Sequence, residues 1–302
     1  MDIKKFYYLY FKVRDEAKDV ILKEAELSEE EYARFEGELA EEVSLIKSER
    51  SNLTAIGADF VHYTRYIYES APDTAKGVIR PDAVSPWSGE ILQLPAVGVI
   101  DKPEMKLWDA IEKRRSLRSY ADKALTQAEL SFLLWSTQWV RDFRSNEKVE
   151  VAFRNVPSAG ARHPFETWLL INKVDGIRPG LYYYHPIKHG LVLFKEGAEL
   201  AETVCHASLD QEMVKTSAVT FIWVAIPKRT TWRYSQRGYR YLYIDAGHVG
   251  QNLHLAAEAI DSGACMIGAY YDEGMNEILG LDGKDSFVIY MASLGKRIPP
   301  EA

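Results

Sequence analysis

Apolar residues at Leu242, Ala246, Val249, Leu253, Ala256 and Ile260 step by four and three, which predicts a helix over about residues 240–262. A second stripe of Ile244, His248, Gln251 and Leu255 runs beside the first. The helix is therefore expected to be buried on most sides, with His248 and Gln251 making structural hydrogen bonds. Ala246, Gly247, Gly250, Ala256 and Ala257 would let another backbone approach, a second copy of the chain included. Leu130, Leu133 and Leu134 follow Thr126-Gln127-Ala128-Glu129, a reciprocal cap, and predict a helix to about residue 138. Runs of strand length and β-branched or aromatic composition lie at 167–172, 219–226 and 287–294. Residues 182–184 and 191–194, separated by 185–190, read as a hairpin. The class is α+β.

Upstream the pattern changes. Residues 14–50 are rich in Glu, Lys, Ala and Leu, and Ser28-Glu29-Glu30-Glu31 opens a solvated helix. Between 70 and 103 the prolines at 72, 81, 86, 95 and 103 break any regular period. Two regions are expected: a helical and loop-rich N-terminal extension over 1–100, and a main domain over 101–302.

The chain has 302 residues, 47% of them apolar, enough for a sizeable core. Its formal charge of -7 repels nucleic acid and anionic membranes, so neither is an expected partner. Cys205 and Cys265 are the two cysteines, with no paired metal-ligand spacing, so no disulfide framework and no metal site are expected. The apolar run 6–11 is too short for an export signal, and no stretch has membrane-spanning length. The expected location is the cytoplasm.

Against this acidic background, Arg114-Arg115-Ser116-Leu117-Arg118 stands out. Three guanidiniums and a hydroxyl within five positions suit a phosphate, while the same residues would also serve as the solvated basic end of a helix over 106–114. Pro157-Ser158-Ala159-Gly160-Ala161-Arg162-His163-Pro164 is a small-residue loop whose backbone amides are open to a flat ligand. Gly263 to Tyr270 is a second run of small residues, and Gly295-Lys296-Arg297 places two cations after the final strand. His206 beside Cys205 has no third partner in the sequence.

In this order the four pieces resemble the FMN-dependent nitroreductase family over about residues 101–297. The resemblance implies a homodimer with a mixed sheet flanked by helices and FMN as cofactor. It implies that Arg114, Arg115, Ser116 and Arg118 clasp the FMN phosphate together with Lys296 and Arg297. Pro157, Ser158, Ala159 and Gly160 would line the isoalloxazine from the opposite subunit, and Ile267, Gly268 and Ala269 would pass the flavin N5. Arg154 or Arg162 would face the N1 and O2 edge of the ring, with Arg162 taken as the cofactor-binding candidate.

Three further stretches resemble the SagB-type branch, which includes azoline dehydrogenases of peptide modification: His62-Tyr63-Thr64-Arg65-Tyr66, Arg154-Asn155-Val156, and Arg237-Gly238-Tyr239-Arg240-Tyr241 before Asp245-Ala246-Gly247-His248. That branch carries Lys-Tyr just ahead of the Arg-Gly-Tyr-Arg stretch; this chain has Arg233-Tyr234. A guanidinium stays protonated, so Arg233 binds anions rather than removing a proton, and Tyr234 is the candidate donor on the substrate side. The expected function is hydride transfer between flavin N5 and a small organic substrate, ping-pong, with NAD(P)H as candidate reductant. Azoline dehydrogenation of a peptide and non-catalytic flavin binding are the two alternatives.

Overall fold

The computed structural model describes residues 22, 27–49, 55–96, 103–145 and 150–299. The apolar run 6–11, much of the helical reading before residue 27, and the expected boundary near 101 lie outside them. The chain divides into two compact units, Met1–Tyr68 and Glu69–Ala302. In the first, α1 (Glu29–Glu49) begins at the expected cap, where the Glu31 amide donates to Ser28 Oγ at 3.2 Å and the Ser28 amide donates to the Glu31 carboxylate at 2.9 Å. After α2 (Ile56–Tyr63), the His62 ring meets Tyr63 edge-on and pairs its Nε2 with Tyr68 Oη at 2.8 Å.

The second unit holds nine strands and seven α-helices among its described residues, besides short 3-10 turns: β1 (Ile91–Gln93), α3 (Leu107–Lys113), α4 (Gln127–Thr137), β2 (Val140–Ser145), β3 (Glu150–Arg154), β4 (Phe165–Ile171), β5 (Gly180–His185), β6 (Gly190–Glu196), α5 (Leu200–Ala207), α6 (Met213–Thr216), β7 (Val219–Ala225), α7 (Lys228–Tyr234), α8 (Gly238–Ala259), β8 (Ser262–Ile267), α9 (Asp272–Leu279) and β9 (Phe287–Lys296). Seven strands form one sheet in the order β1-β6-β5-β4-β7-β9-β8, and β2 and β3 pair separately. Each ladder is antiparallel, while single parallel bridges at Ser116–Ala264 and Leu125–Val174 add the mixed character.

Successive residues of a strand point to opposite faces, and the central strands are apolar on both. Leu169, Ile171, Phe221 and Trp223 pack on one side against Leu134 of α4 and Leu242, Val249 and Leu253 of α8. Trp168, Leu170, Ile222 and Val224 pack on the other against Val204, Met213 and Met275. Each fully buried Leu or Phe contributes about 1.5–3 kcal/mol, so the sheet is the rigid reference for everything beside it. The α4 cap forms as expected, with the Glu129 amide donating to Thr126 Oγ1 at 3.1 Å.

The second stripe of α8 needs correction. Ile244, Gly247, His248 and Gln251 are exposed, because the Leu242–Val249–Leu253 seam alone faces the sheet. Gly250 belongs with the buried seam: a Cβ there would lie 3.0 Å from the Tyr290 ring and 3.1 Å from Met266 Sδ.

Candidate flavin site

β8 acts as a ruler for the site. The chain leaves α3 at Lys113, and Ser116 forms its parallel bridge to Ala264 while the Leu117 amide donates to the Ala264 carbonyl at 3.1 Å. Leu117 lies directly over Gly263, and Tyr120 lies over Gly295, where a Cβ would come within 2.7 Å of its ring. Only hydrogen in place of a side chain lets the segment run flat across β8 and β9. Tyr120 Oη donates to the Leu117 carbonyl at 2.7 Å and holds the segment in place. Toward one end of β8, Ser262 pairs with Lys296; past the other, Gly268 and Ala269 are exposed, and Gly268 has open space where a side chain would stand. At about 3.4 Å per residue, these markers span roughly 20 Å.

The expected phosphate cations differ in what they already touch. Arg114 is half-buried, and Ser116 and Arg118 are exposed. No carboxylate pairs with either arginine among the described residues. Arg115 donates from Nη1 to the carbonyls of Glu112 and Arg114 at 2.8 Å, closing the C-terminus of α3. Lys296 pairs with Glu129 and donates to the Ile260 carbonyl at 2.8 Å, and Arg297 pairs with Glu258. Each keeps further N–H donors beyond these contacts. His254, on the buried side of α8, has an unpartnered Nδ1, and burial followed by the charge of Arg114 pushes its pKa down to about 4. It is neutral at pH 7.

The small-residue loop is fixed by α8. Ser158 Oγ donates to Asp245 at 2.5 Å, the Ala159 amide donates to the same carboxylate at 3.2 Å, and the His163 amide donates to Ser158 Oγ at 2.9 Å. Burial raises the pKa of Asp245, opposed by these donors. The backbone takes positive φ at Gly160 (59°), Ala161 (51°) and His163 (43°), two of them non-glycine, a conformation that persists only when its surroundings dictate it. His163 is buried, and its pKa falls to about 2 through burial and then the charges of Arg154 and Arg162. It fixes the turn and stays uncharged.

Arg233 and Tyr234 close over this loop. A Cβ on Gly160 would lie 2.5 Å from Tyr234 Oη and 3.4 Å from Arg233 Cδ, so glycine is required by both space and φ. Beneath sit three buried guanidiniums: Arg154 (5% exposed), Arg162 (6%) and Arg229 (2%). Arg229 pairs with Glu166, which also accepts from Tyr183 Oη at 2.6 Å and Ser85 Oγ at 2.8 Å. Burial alone would raise the pKa of Glu166, yet Arg229, Tyr183 and Arg154 lower it to about 2. Arg154 donates to the Gln138 side chain and to the Phe165 carbonyl, leaving Nε and Nη2 buried without partners, as is Nη2 of Arg162. Buried N–H groups without acceptors are costly, so they fit an acceptor-rich group such as the edge of a flavin or a carboxylate.

The sequence reading named Arg154 and Arg162 but missed Glu166 and Arg229, which no spacing marks, and gave Asp245 no role although the Asp-Ala-Gly-His run contains it. Arg114, Ser116, Arg118, Ile267, Gly268 and Ala269 come together along β8. Pro157, Ser158, Ala159, Gly160, Arg162, Arg233 and Tyr234 form the other group. Among the described residues, no hydrogen bond, ion pair or ring contact joins the two groups.

Among the described residues no helix is long and apolar enough to cross a membrane. The nitroreductase family model matches residues 111–296. A Methanocaldococcus jannaschii protein named as a nitroreductase is 34% identical over 207 residues, covering 68% of this chain and 96% of that one. The trifolitoxin-processing protein TfxB of Rhizobium leguminosarum is 30% identical over 135 residues, covering 43% of this chain; the chain spans only 35% of its length. A crystal structure from Anabaena variabilis, also named as a nitroreductase, superposes with TM-score 0.54 and 31% identity over 64% of this chain and 38% of the other. The fold, the ordered motifs and these likenesses agree: the chain belongs to the nitroreductase family of flavin oxidoreductases, and its likeness to a trifolitoxin-processing protein accords with the SagB-type branch.

Proposed function

We propose that the chain is a cytoplasmic, homodimeric FMN oxidoreductase acting on a small organic substrate, with NAD(P)H as electron donor and ping-pong turnover. The observation that supports it most is the collection of Arg114, Ser116, Arg118 and the open backbone at Gly268–Ala269 along one strand. When bound, FMN would supply hydride transfer at N5, the step for which the protein needs no separate acid-base pair. Arg114, Ser116 and Arg118 would bind the phosphate through charge-assisted hydrogen bonds, with Arg115, Lys296 and Arg297 adding their remaining donors. Ile267 to Ala269 would orient the ring by backbone contact, and Arg154 would present its unpartnered nitrogens to the electron-rich edge. Pro157 to Gly160 would cover the ring, held in shape by Asp245, and Tyr234 would hold a proton at Oη over Gly160.

The separation of the two groups of site residues within one chain is the reason for a homodimer. In a shared site, the β8 group of one subunit and the loop of the other meet a single ligand. The exposed surface supports this arrangement, since Ile244 and Gly247 of α8 and Leu107, Trp108 and Ile111 of α3, which packs against α8, are apolar or small and exposed.

Azoline dehydrogenation is the second reading. It rests on the likeness to a trifolitoxin-processing protein, and Arg233, which cannot serve as a base, weighs against it. The deciding experiment is anaerobic titration of FMN-reconstituted protein with NADH and with NADPH. Bleaching of the flavin absorbance, followed by its return on adding a nitroaromatic, is the expected result; flavin that neither reductant bleaches would remove the proposed donor.

A further inference from the structure

Five guanidiniums, those of Arg80, Arg154, Arg162, Arg229 and Arg233, gather around the 157–164 loop and α7, and carboxylates near them are already engaged: Asp73 pairs with Lys228 of α7, and Glu69 accepts from the Arg237 amide at 2.7 Å. Glu150 is engaged by Arg80 and by the Ala83 amide at 2.7 Å. Glu166 is engaged by Arg229, Ser85 and Tyr183, and Asp245 by Ser158 and Ala159. Arg162 and Arg233 have no carboxylate partner among the described residues, and Arg154 forms no direct ion pair, only feeling the charge of Glu166 through space. Arg154 Nε and Nη2 and Arg162 Nη2 are buried without acceptors, which is costly unless a ligand supplies them.

The three guanidiniums without a direct ion pair divide by position. Arg154 is enclosed under the loop and is assigned above to the flavin. Arg162 donates from Nε to the Arg229 carbonyl at 2.8 Å, lies over the Trp232 ring at 5.2 Å, and has Nη2 buried without an acceptor. Arg233 is exposed and stands on Gly160 beside Tyr234. Burial and then the charges of Arg80, Arg233 and Arg229 lower the pKa of Arg162, as expected where like charges share one region without an anion between them.

We propose that Arg233 and Arg162 form an anion subsite over the 157–164 loop that selects substrates carrying a carboxylate. The inference rests on the FMN oxidoreductase reading, because the subsite is useful there only if the reacting ring lies beside the same loop. A guanidinium presents a planar fork of donors that matches the two oxygens of a carboxylate, which an ammonium does not. Replacing the branch's lysine by arginine thus exchanges a group able to take a proton for one that holds an anion. Tyr234, with Oη unpartnered among the described residues, completes the donor set.

The test compares 4-nitrobenzoate with 4-nitrobenzamide, which share the ring and the nitro group and differ in charge. With FMN-loaded protein, one NADH and one proton reduce the nitro group to nitroso with release of water and NAD+. The expected wild-type result is a kcat/KM for the benzoate at least about 10-fold above that for the amide. In Arg233→Gln the ratio should fall by about 10- to 100-fold, the worth of a charge-assisted bidentate contact, and Arg233→Lys should keep part of it. Calorimetric titration with benzoate and benzamide, which needs no turnover, should show the same loss of benzoate preference. An unchanged ratio and unchanged benzoate affinity in Arg233→Gln would overturn the subsite while leaving the flavin reading intact. Benzoate binding that depends on Arg233 in protein that takes up no FMN would do the reverse.

Discussion

The two halves of the proposed site differ in how far the chain builds them without a ligand. The loop half is preformed: Asp245 fixes Ser158 and Ala159, Glu166 holds Arg229, and the buried guanidiniums below it have few places to go. The β8 half is open, with Arg118 and Ser116 exposed and Arg114 half-buried. A closed polar network contributes to folding and loses stability when one member is removed. Exposed cations contribute little to folding and act when an anion arrives.

That contrast has measurable consequences, beginning with pH. His163, His189 and His254 are buried, with pKa values lowered to about 2, 4 and 4, first by burial in each case. A depressed pKa gives stability that is present above the unfolded value of about 6.5 and lost as pH falls toward the folded values. Between pH 7 and pH 5 the unfolding free energy should drop by about 6 kcal/mol if all three stay neutral. Urea unfolding at the two pH values measures this, and a flat response would mean that these histidines accept protons in the folded state.

Glu166→Gln should cost about 3–5 kcal/mol by leaving Arg229 and Arg154 without their counter-charge. A loss under 1 kcal/mol in urea would break the view of the loop half as a closed network. On the open half, the paired change Arg114→Ala and Arg118→Ala should leave stability within about 1 kcal/mol while weakening FMN binding by about 1.5–3 kcal/mol per residue, followed by flavin fluorescence. Equal FMN affinity in the double variant would detach the arginine stretch from the phosphate. The smallest effect on folding is expected for Gly247→Arg. Gly247 is exposed with no neighbour within 4 Å, so the monomer should fold normally, yet sedimentation should show loss of the dimer. A variant that remains dimeric would move the interface away from this face of α8.

The same contrast decides what the sequence could convey. The Leu242–Val249–Leu253 seam, the Thr126–Glu129 cap and the strands at 167–172, 219–226 and 287–294 are local patterns, and each has its counterpart in the fold. The face of α8 carrying Ile244, His248 and Gln251 is exposed in the single chain; hydropathy spacing shows that a stripe exists, not which surface covers it. The β8 strand was read only as a run of small residues, since Ser262, Gly263 and Ala264 have low strand propensity and owe their conformation to pairing with β9. Glu166 and Arg229 are 63 residues apart in sequence and meet only through the sheet, so no motif could announce them. The arginine stretch was legible because all its chemistry lies within five positions.

The most direct test of the central claim is size-exclusion chromatography of the purified protein after incubation with FMN, monitored for flavin absorbance together with molar mass. The account predicts a yellow dimer carrying one FMN per chain. A colourless protein, or flavin retained equally well by a monomer, would contradict it.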